Sequence, residues 1–293
     1  MDNVIQVLSS LAINEGFNPS NIEGVSVFKA SQHYISEPIT YAQGIIFILQ
    51  GSEDVYLGGK KYVYDEQNYL VIPVPIIAEC KILATSTNPM LAIALDIDLE
   101  QLTKIVYELN QVESFKHQLK GIETEQASRG IFVSPIVDDI QATLCRLILM
   151  LNNPQESALL GKQTLRELLY RVLVSNQGRE FYQLTLMDTD LARIDQALKW
   201  MHQFYDQSIS IAELASKVNM GESTFHRVFK RITQHSPGQY LKKLRLDKAK
   251  VLLEEKGCQV QEAAFYTGYK STTQFAREFK RLYGKSPSDY LKP

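Results

Sequence analysis

The chain has 293 residues, enough for two domains with cores of their own. Its 45% apolar and 22% charged residues and its net charge of −2 are those of a globular protein, and no apolar run nears the roughly 20 residues that cross a bilayer, so no membrane partner is expected. Three cysteines, Cys80, Cys145 and Cys258, stand far apart without a CxxC pair, which argues against a zinc site and a disulfide framework and for a reducing cytoplasm.

In chain order, residues 1–17 alternate apolar and polar without a basic start, so no secretory signal is expected. Short runs rich in Val, Ile, Tyr and Phe follow at 25–30, 44–50, 54–57, 61–64, 69–72, 76–83 and 90–96, separated by turn signals such as Gly51-Ser52, Gly58-Gly59 and Asn88-Pro89. Such spacing predicts an antiparallel sandwich or barrel. A metal-dependent enzyme on that scaffold needs several ligands, and the only histidine there is His33, which reads as structural or as a polar pocket wall. No cofactor is expected. If the barrel holds a small molecule, Tyr41, Tyr56 and Cys80 are candidates to touch it; alternation alone does not say which tyrosines face inward, and Cys80 reads more simply as a buried inert thiol than as a reactive one.

Helices are predicted next. Residues 99–110 are amphipathic and a polar stretch covers 121–129. Ile136, Ile140, Leu144, Leu147, Ile148 and Leu151 mark one helix, ended by Asn152-Asn153-Pro154, and Leu165, Leu168, Leu169, Val172 and Leu173 mark another. Their wide apolar faces either complete the core of the first domain or form a dimer interface. Gln177-Gly178-Arg179 reads as a turn, and a helix over 187–205 leads into the last part of the chain.

That last part repeats itself. Phe225, Phe229, Lys230, Arg231, Ser236, Pro237, Tyr240 and Leu241 recur 50 positions later as Phe275, Phe279, Lys280, Arg281, Ser286, Pro287, Tyr290 and Leu291. Glu213 and Ala215 recur at an offset of 49, as Glu262 and Ala264, so one residue is inserted within the second copy. Two helix-turn-helix units, about 210–233 and 259–282, are the economical reading. In the first, Ser210 caps a short helix, the chain turns at 219–221, and a second helix over 222–233 buries Phe225, Val228, Phe229 and Ile232. In the second, Gly268 supplies the turn and Ser271 caps the second helix, which buries Phe275, Phe279 and Leu282. Between them Pro237, at a first helical position, starts a long helix to about residue 254, and Gly257 ends it.

The near-neutral total hides a basic end. Residues 208–293 carry 16 Lys and Arg against 8 Asp and Glu, and residues 1–207 carry 15 against 25. A balance of +8 attracts phosphates, and short polar and Arg side chains on a helix suit base edges in a major groove. Two such helices in successive grooves would cover roughly 20 base pairs at a separation of about 34 Å.

Residues 209–293 resemble the DNA-binding domain of the AraC/XylS family of bacterial transcription regulators. The resemblance is carried by Leu214-Ala215, Ser223-Thr224-Phe225-His226-Arg227-Val228-Phe229-Lys230, Ser236-Pro237, Arg245-Leu246, Gly268-Tyr269, Arg277-Glu278-Phe279-Lys280 and Ser286-Pro287. The segments Ile48-Leu49-Gln50-Gly51, Val55-Tyr56-Leu57-Gly58-Gly59 and Tyr69-Leu70-Val71-Ile72-Pro73, with Arg166-Glu167-Leu168-Leu169-Tyr170 further on, are similar to a cupin-like sensing domain in one branch of that family. The resemblance implies an α+β protein: an antiparallel cupin-like β-barrel with following helices over 1–180, then an all-α DNA-binding domain over 187–293. It places base contacts on Ser223, His226, Arg227, Thr272, Thr273 and Arg277, while Lys230, Arg231, Lys280 and Arg281 are expected to meet phosphates. The implied protein is a transcription regulator and not an enzyme: a homodimeric activator on double-stranded promoter DNA, working with RNA polymerase and controlled by an unidentified small-molecule effector. The alternative is a metal-dependent cupin enzyme with a basic carboxyl-terminal domain. One departure stands out: Gly221 occupies the cap position before the first recognition helix, where similar sequences have Ser, at a modest cost in helix stability.

Overall fold

The computed structural model describes residues 2–112, 130–175, 178–186, 188–254 and 257–291, without the side chains of 35–37, 179 and 180. The predicted polar stretch over 121–129 lies outside them, as does Gln177.

Ten strands follow an initial helix α1 (Asp2–Leu11): β1 (Gly16–Pro19), β2 (Val25–Ala30), β3 (Tyr34–Tyr41), β4 (Gly44–Gln50), β5 (Ser52–Leu57), β6 (Lys60–Asp65), β7 (Asn68–Ile72), β8 (Ile76–Ile82), β9 (Met90–Asp96) and, after helix α2 (Leu99–Leu109), β10 (Phe132–Pro135). They form two antiparallel sheets, ordered β1-β2-β9-β4-β7-β10 and β3-β8-β5-β6, within the sandwich or barrel that the strand spacing predicts. The six-stranded sheet is covered on both faces, by the other sheet and by helices, which is why β4 (GIIFILQ) and β9 (MLAIALD) are nearly continuous apolar runs. In β5 burial alternates strictly, with Glu53, Val55 and Leu57 inward.

Four elements were not legible beforehand. In α1, Val4, Val7 and Leu8 are buried at helical spacing, so the apparent alternation of residues 1–17 is a helical stripe. Strand β3 hides its character behind Pro38 and a register shift between Ile35 and Glu37; it is an edge strand, where a missing amide is tolerated. β1 and β10 are four-residue edge strands of the larger sheet.

Helices α3 (Asp138–Met150) and α4 (Pro154–Leu173) pack on each other, and Asn153 caps α4 ahead of Pro154. Ile140, Leu144, Leu147, Ile148, Leu165, Leu168, Leu169 and Val172 are buried within this chain, so the wide apolar faces complete its core. Next come α5 (Arg179–Thr185), α6 (Asp190–Gln203), α7 (Ile211–Lys217), α8 (Glu222–Thr233), α9 (Pro237–Glu254), α10 (Val260–Tyr266) and α11 (Thr272–Tyr283), and a 3-10 turn over Pro287–Tyr290. One hydrophobic core runs from α1 through the sheets into the first helix-turn-helix unit, ending at Leu244; a second, from Leu246 to Phe279, belongs to the other unit.

The first unit is seated on the smaller sheet. Tyr240 in α9 donates its hydroxyl to Pro75 O (3.1 Å), His235 Nε2 lies 3.1 Å from Ile77 O, and Gly130 N donates to Ile232 O (3.1 Å). With its proton committed to Pro75, the Tyr240 hydroxyl accepts from His202 Nε2 at 2.8 Å, which fixes that imidazole as the Nε2–H tautomer. Burial, then Lys248, lowers the His202 pKa to about 4 from 6.5. A histidine depressed on folding stabilises fully above pH 6.5 and ceases to as pH falls towards 4, a loss on the order of 2–3 kcal/mol. Denaturation of the wild type against His202→Gln across that range should show the wild type alone carrying this slope.

Candidate nucleic-acid interface and ligand cavity

The two helix-turn-helix units are built alike in detail. Both turns need a left-handed residue at the same place: Asn219 (φ 54°) in the first, Gly268 (φ 81°) in the second. Both recognition helices then end on another, Gln234 (φ 61°) or Gly284 (φ 74°). A side chain at Gly284 meets no neighbour, so Gly284→Ala isolates backbone strain and should cost about 1–2 kcal/mol, read by thermal unfolding. At the starts the units differ: Ser271 accepts from Gln274 N (3.3 Å), whereas Gly221 offers no side-chain cap.

On α8, Phe225, Val228, Phe229 and Ile232 are buried, and Ser223, His226, Arg227 and Lys230 are exposed. On α11, Phe275 and Phe279 are buried, and Thr272, Thr273, Arg277, Lys280 and Arg281 are exposed. Leu282, expected inside, is only partly buried. Among the described residues no hydrogen bond or ion pair occupies the side chains of Arg227, Lys230, Arg277, Lys280 or Arg281, so each is available to an external partner.

Arg231 departs from its expected place. Its guanidinium pairs with Asp190 in α6 at 2.6 Å and is two-thirds buried, so it ties the recognition helix to the helix before the unit, unlike its counterpart Arg281. Repetition of sequence did not predict this, because Asp190 lies outside the repeat. The second unit has an anchor that was also missed. Glu278, buried on α11, accepts from Lys242 of α9 (3.0 Å), Tyr269 (3.0 Å) and Gln274 (3.3 Å). Burial alone would raise its pKa, and these three donors outweigh burial and hold it below the usual range.

Between the two sheets lies a cavity of about 270 Å³. At its wall sits Glu53, 4% exposed, whose Oε1 accepts from Tyr41 (2.5 Å) and whose Oε2 accepts from Tyr64. Burial first, and then Glu53, pushes both phenols well above the ordinary tyrosine pKa, so both hydroxyls keep their protons and donate. Burial also raises the pKa of Glu53, opposed by bonds from Tyr41, Tyr64 and Cys80. Of the residues singled out for a ligand, Tyr41 and Cys80 therefore meet at Glu53. Tyr56 does not: it alternates to the outer side of β5, its hydroxyl 3.5 Å from Asp54. Glu53 and Tyr64 carried a signal, a carboxylate in register with Val55 and Leu57, but period-two alternation does not say which set is inside. His33 is exposed, with Nδ1 2.7 Å from Ala84 O. No three His, Cys, Asp or Glu are grouped as a metal site would need among the described residues.

The cavity is linked to the helices through Gln43. Gln43 lines it, and the Gln43 amide donates to Pro73 O (2.6 Å) and to Asp195 Oδ1 of α6 (3.2 Å). Asp195 is buried and paired with Lys199 (2.8 Å).

Comparison with known proteins agrees with this arrangement. The family model described as AraC-type transcriptional regulator N-terminus matches residues 21–180, and a helix-turn-helix domain model matches 214–293. The chain is 30% identical over 156 residues to the raffinose operon transcriptional regulatory protein RafR of Pediococcus pentosaceus, covering 52% of this chain and 55% of that protein. Over 101 residues it is 29% identical to the Msm operon regulatory protein of Streptococcus mutans (34% and 36% covered), and over 98 residues 34% identical to the activator RhaS of Klebsiella pneumoniae (33% and 35%). The chain thus spans about a third to a half of the length of these relatives. An apo structure of ToxT from Vibrio cholerae superimposes with TM-score 0.58 at 12% identity, covering 93% of this chain and 98% of that one, so the two share the fold. A second ToxT structure, with an unsaturated fatty acid bound, gives TM-score 0.56 at 12% identity, covering 91% and 94%. With the first family model alone spanning more than half of its residues, this chain belongs to the AraC-type transcriptional regulators.

Proposed function

We propose that the chain is a sequence-specific transcription regulator that lays α8 and α11 into successive major grooves of promoter DNA, under control of a small molecule held between its sheets. One observation carries this reading: two helices of the same construction present uncommitted polar and cationic side chains outward, Ser223, His226 and Arg227 on one, Thr272, Thr273 and Arg277 on the other. Those six read bases, and Lys230, Lys280 and Arg281 meet phosphates. Arg231 joins them only by giving up Asp190.

Residues 1–180 then act as the sensing part and 187–293 as the DNA-binding part. Control passes through Gln43, which borders the cavity and holds Asp195 in the helix that enters the first unit. A ligand shifts the equilibrium only by binding unequally to the states with and without that bond. The protein works as an activator with RNA polymerase in the cytoplasm; no helix among the described residues is long and apolar enough to cross a membrane. A metal-dependent enzyme would need several ligands, and among the described residues no histidine lines the cavity. The test is affinity for the DNA upstream of the protein's own gene against random duplex at matched salt. Equal binding to both would leave only a nonspecific DNA binder.

A two-fold protein suits two half-sites, and we assign the dimer contact to the start of α4, where Leu159 and Leu160 are 72% and 52% exposed. Leu159→Glu combined with Leu160→Glu should convert a dimer to a monomer in sedimentation without lowering the melting temperature.

A further inference from the structure

We propose that the cavity between the sheets is a receptor for a small organic monocation, an amine carried on a compact apolar or aromatic body, with Glu53 as its counter-ion. The inference rests on the reading of that cavity as the effector site and names the chemistry it selects.

Charge is the first argument. Two carboxylates, Glu53 in the wall and Asp96 at the exposed rim, line the cavity, and no Lys, Arg or His does so among the described residues. Both oxygens of Glu53 are bonded to phenols, those of Tyr41 and Tyr64, while burial raises the Glu53 pKa against those bonds. A cation bound beside Glu53 would hold the carboxylate ionised in spite of that burial. A buried anion without a cation is costly, and two phenols and a thiol offset only part of that cost. Each carboxylate oxygen has two lone pairs, so Glu53 retains the capacity to accept from a further N–H.

Shape and wall chemistry narrow the class. A cavity of about 270 Å³ lies just below the usual range of ligand pockets, which run from roughly 300 Å³ upward. Its walls are mostly apolar, with Phe28, Ile46 and Ala92 among them, and Phe17 packs on Phe28 at a centroid distance of 4.9 Å. Aromatic faces beside a carboxylate attract a cation through the ring quadrupole as well as through charge. A polyol would bury several hydroxyls against walls that are mostly apolar. A carboxylate ligand would face two acidic side chains and, among the described residues, no cationic one. A cation on an apolar body suits both the apolar walls and a buried carboxyl group that it would hold ionised.

The experiment is a charge series of one shape on the full-length protein: 2-phenylethylamine, 2-phenylethanol and 3-phenylpropionate, each followed by calorimetry and thermal shift, with an unsaturated fatty acid as a fourth probe. The amine should bind at least about tenfold more tightly than the alcohol, with no binding of either acid. Glu53→Gln, checked for wild-type circular dichroism, should abolish that preference. Tighter binding of the alcohol or of either acid would overturn the cation assignment while leaving the cavity as an effector site. Failure of all four probes to bind would overturn the assignment too. If, in addition, none of them altered promoter affinity, the effector reading would lose its support as well.

Discussion

Arg227→Ala should abolish most of the preference for promoter over random DNA while leaving the protein as stable as before. Arg227 is exposed, and its side chain makes no hydrogen bond or ion pair among the described residues, so its loss removes nothing the fold uses. A guanidinium reading guanine through two bonds contributes roughly 1–3 kcal/mol of discrimination, a factor of about 5 to 150 in the ratio of the two affinities. Arg277→Ala should act similarly at a second position of the operator. The two effects should add, because the residues sit on units with separate cores and share no partner. Lys230→Ala provides the contrast: it should weaken both duplexes alike and reduce the salt slope by about one. Fluorescence anisotropy with promoter and scrambled duplexes at several salt concentrations reads all three. An unchanged affinity ratio for Arg227→Ala would show that base recognition lies elsewhere on α8.

The second large effect concerns stability and exploits the unequal seating of the two units. Phe229 is fully buried, 5.4 Å from the Phe225 ring and edge-on to Tyr240 at 5.6 Å, in the core that continues through the sheets. Truncation to alanine should cost about 3–5 kcal/mol. Because that core is shared, the whole chain should unfold at lower denaturant, including the transition reported by Trp200 on α6. Phe279 is its counterpart, equally buried against Phe275 and Tyr290, but in the smaller core that begins at Leu246. Phe279→Ala should melt α10 and α11 and leave the Trp200 transition where it is. Hydrogen exchange separates the two outcomes: loss of protection confined to residues 260–283 in one case, lowered protection throughout in the other. Equal behaviour of the two variants would mean that the chain folds as a single cooperative unit.

The amino-acid sequence by itself determined the local structure and the duplication. A repeat at 50 residues fixes which helix corresponds to which, helical spacing of Phe225, Val228 and Phe229 fixes the buried face, and Ser210 and Ser271 mark helix starts through short-range bonds. All of this depends on neighbours within a few positions. What lies opposite each face depends on residues far away in the chain, and only the tertiary structure decided it. Glu53 lies outside the strand expected over 54–57, and packing against the larger sheet turned it inward and left Tyr56 outside. The repeat made Arg231 and Arg281 equivalent; Asp190, outside the repeat, made them different. Apolar stripes on α3 and α4 suited a neighbouring subunit as well as a sheet, until burial within the chain settled which. Apolar periodicity shows that a face is to be covered, and burial is non-directional, so the identity of the cover is a property of the folded whole.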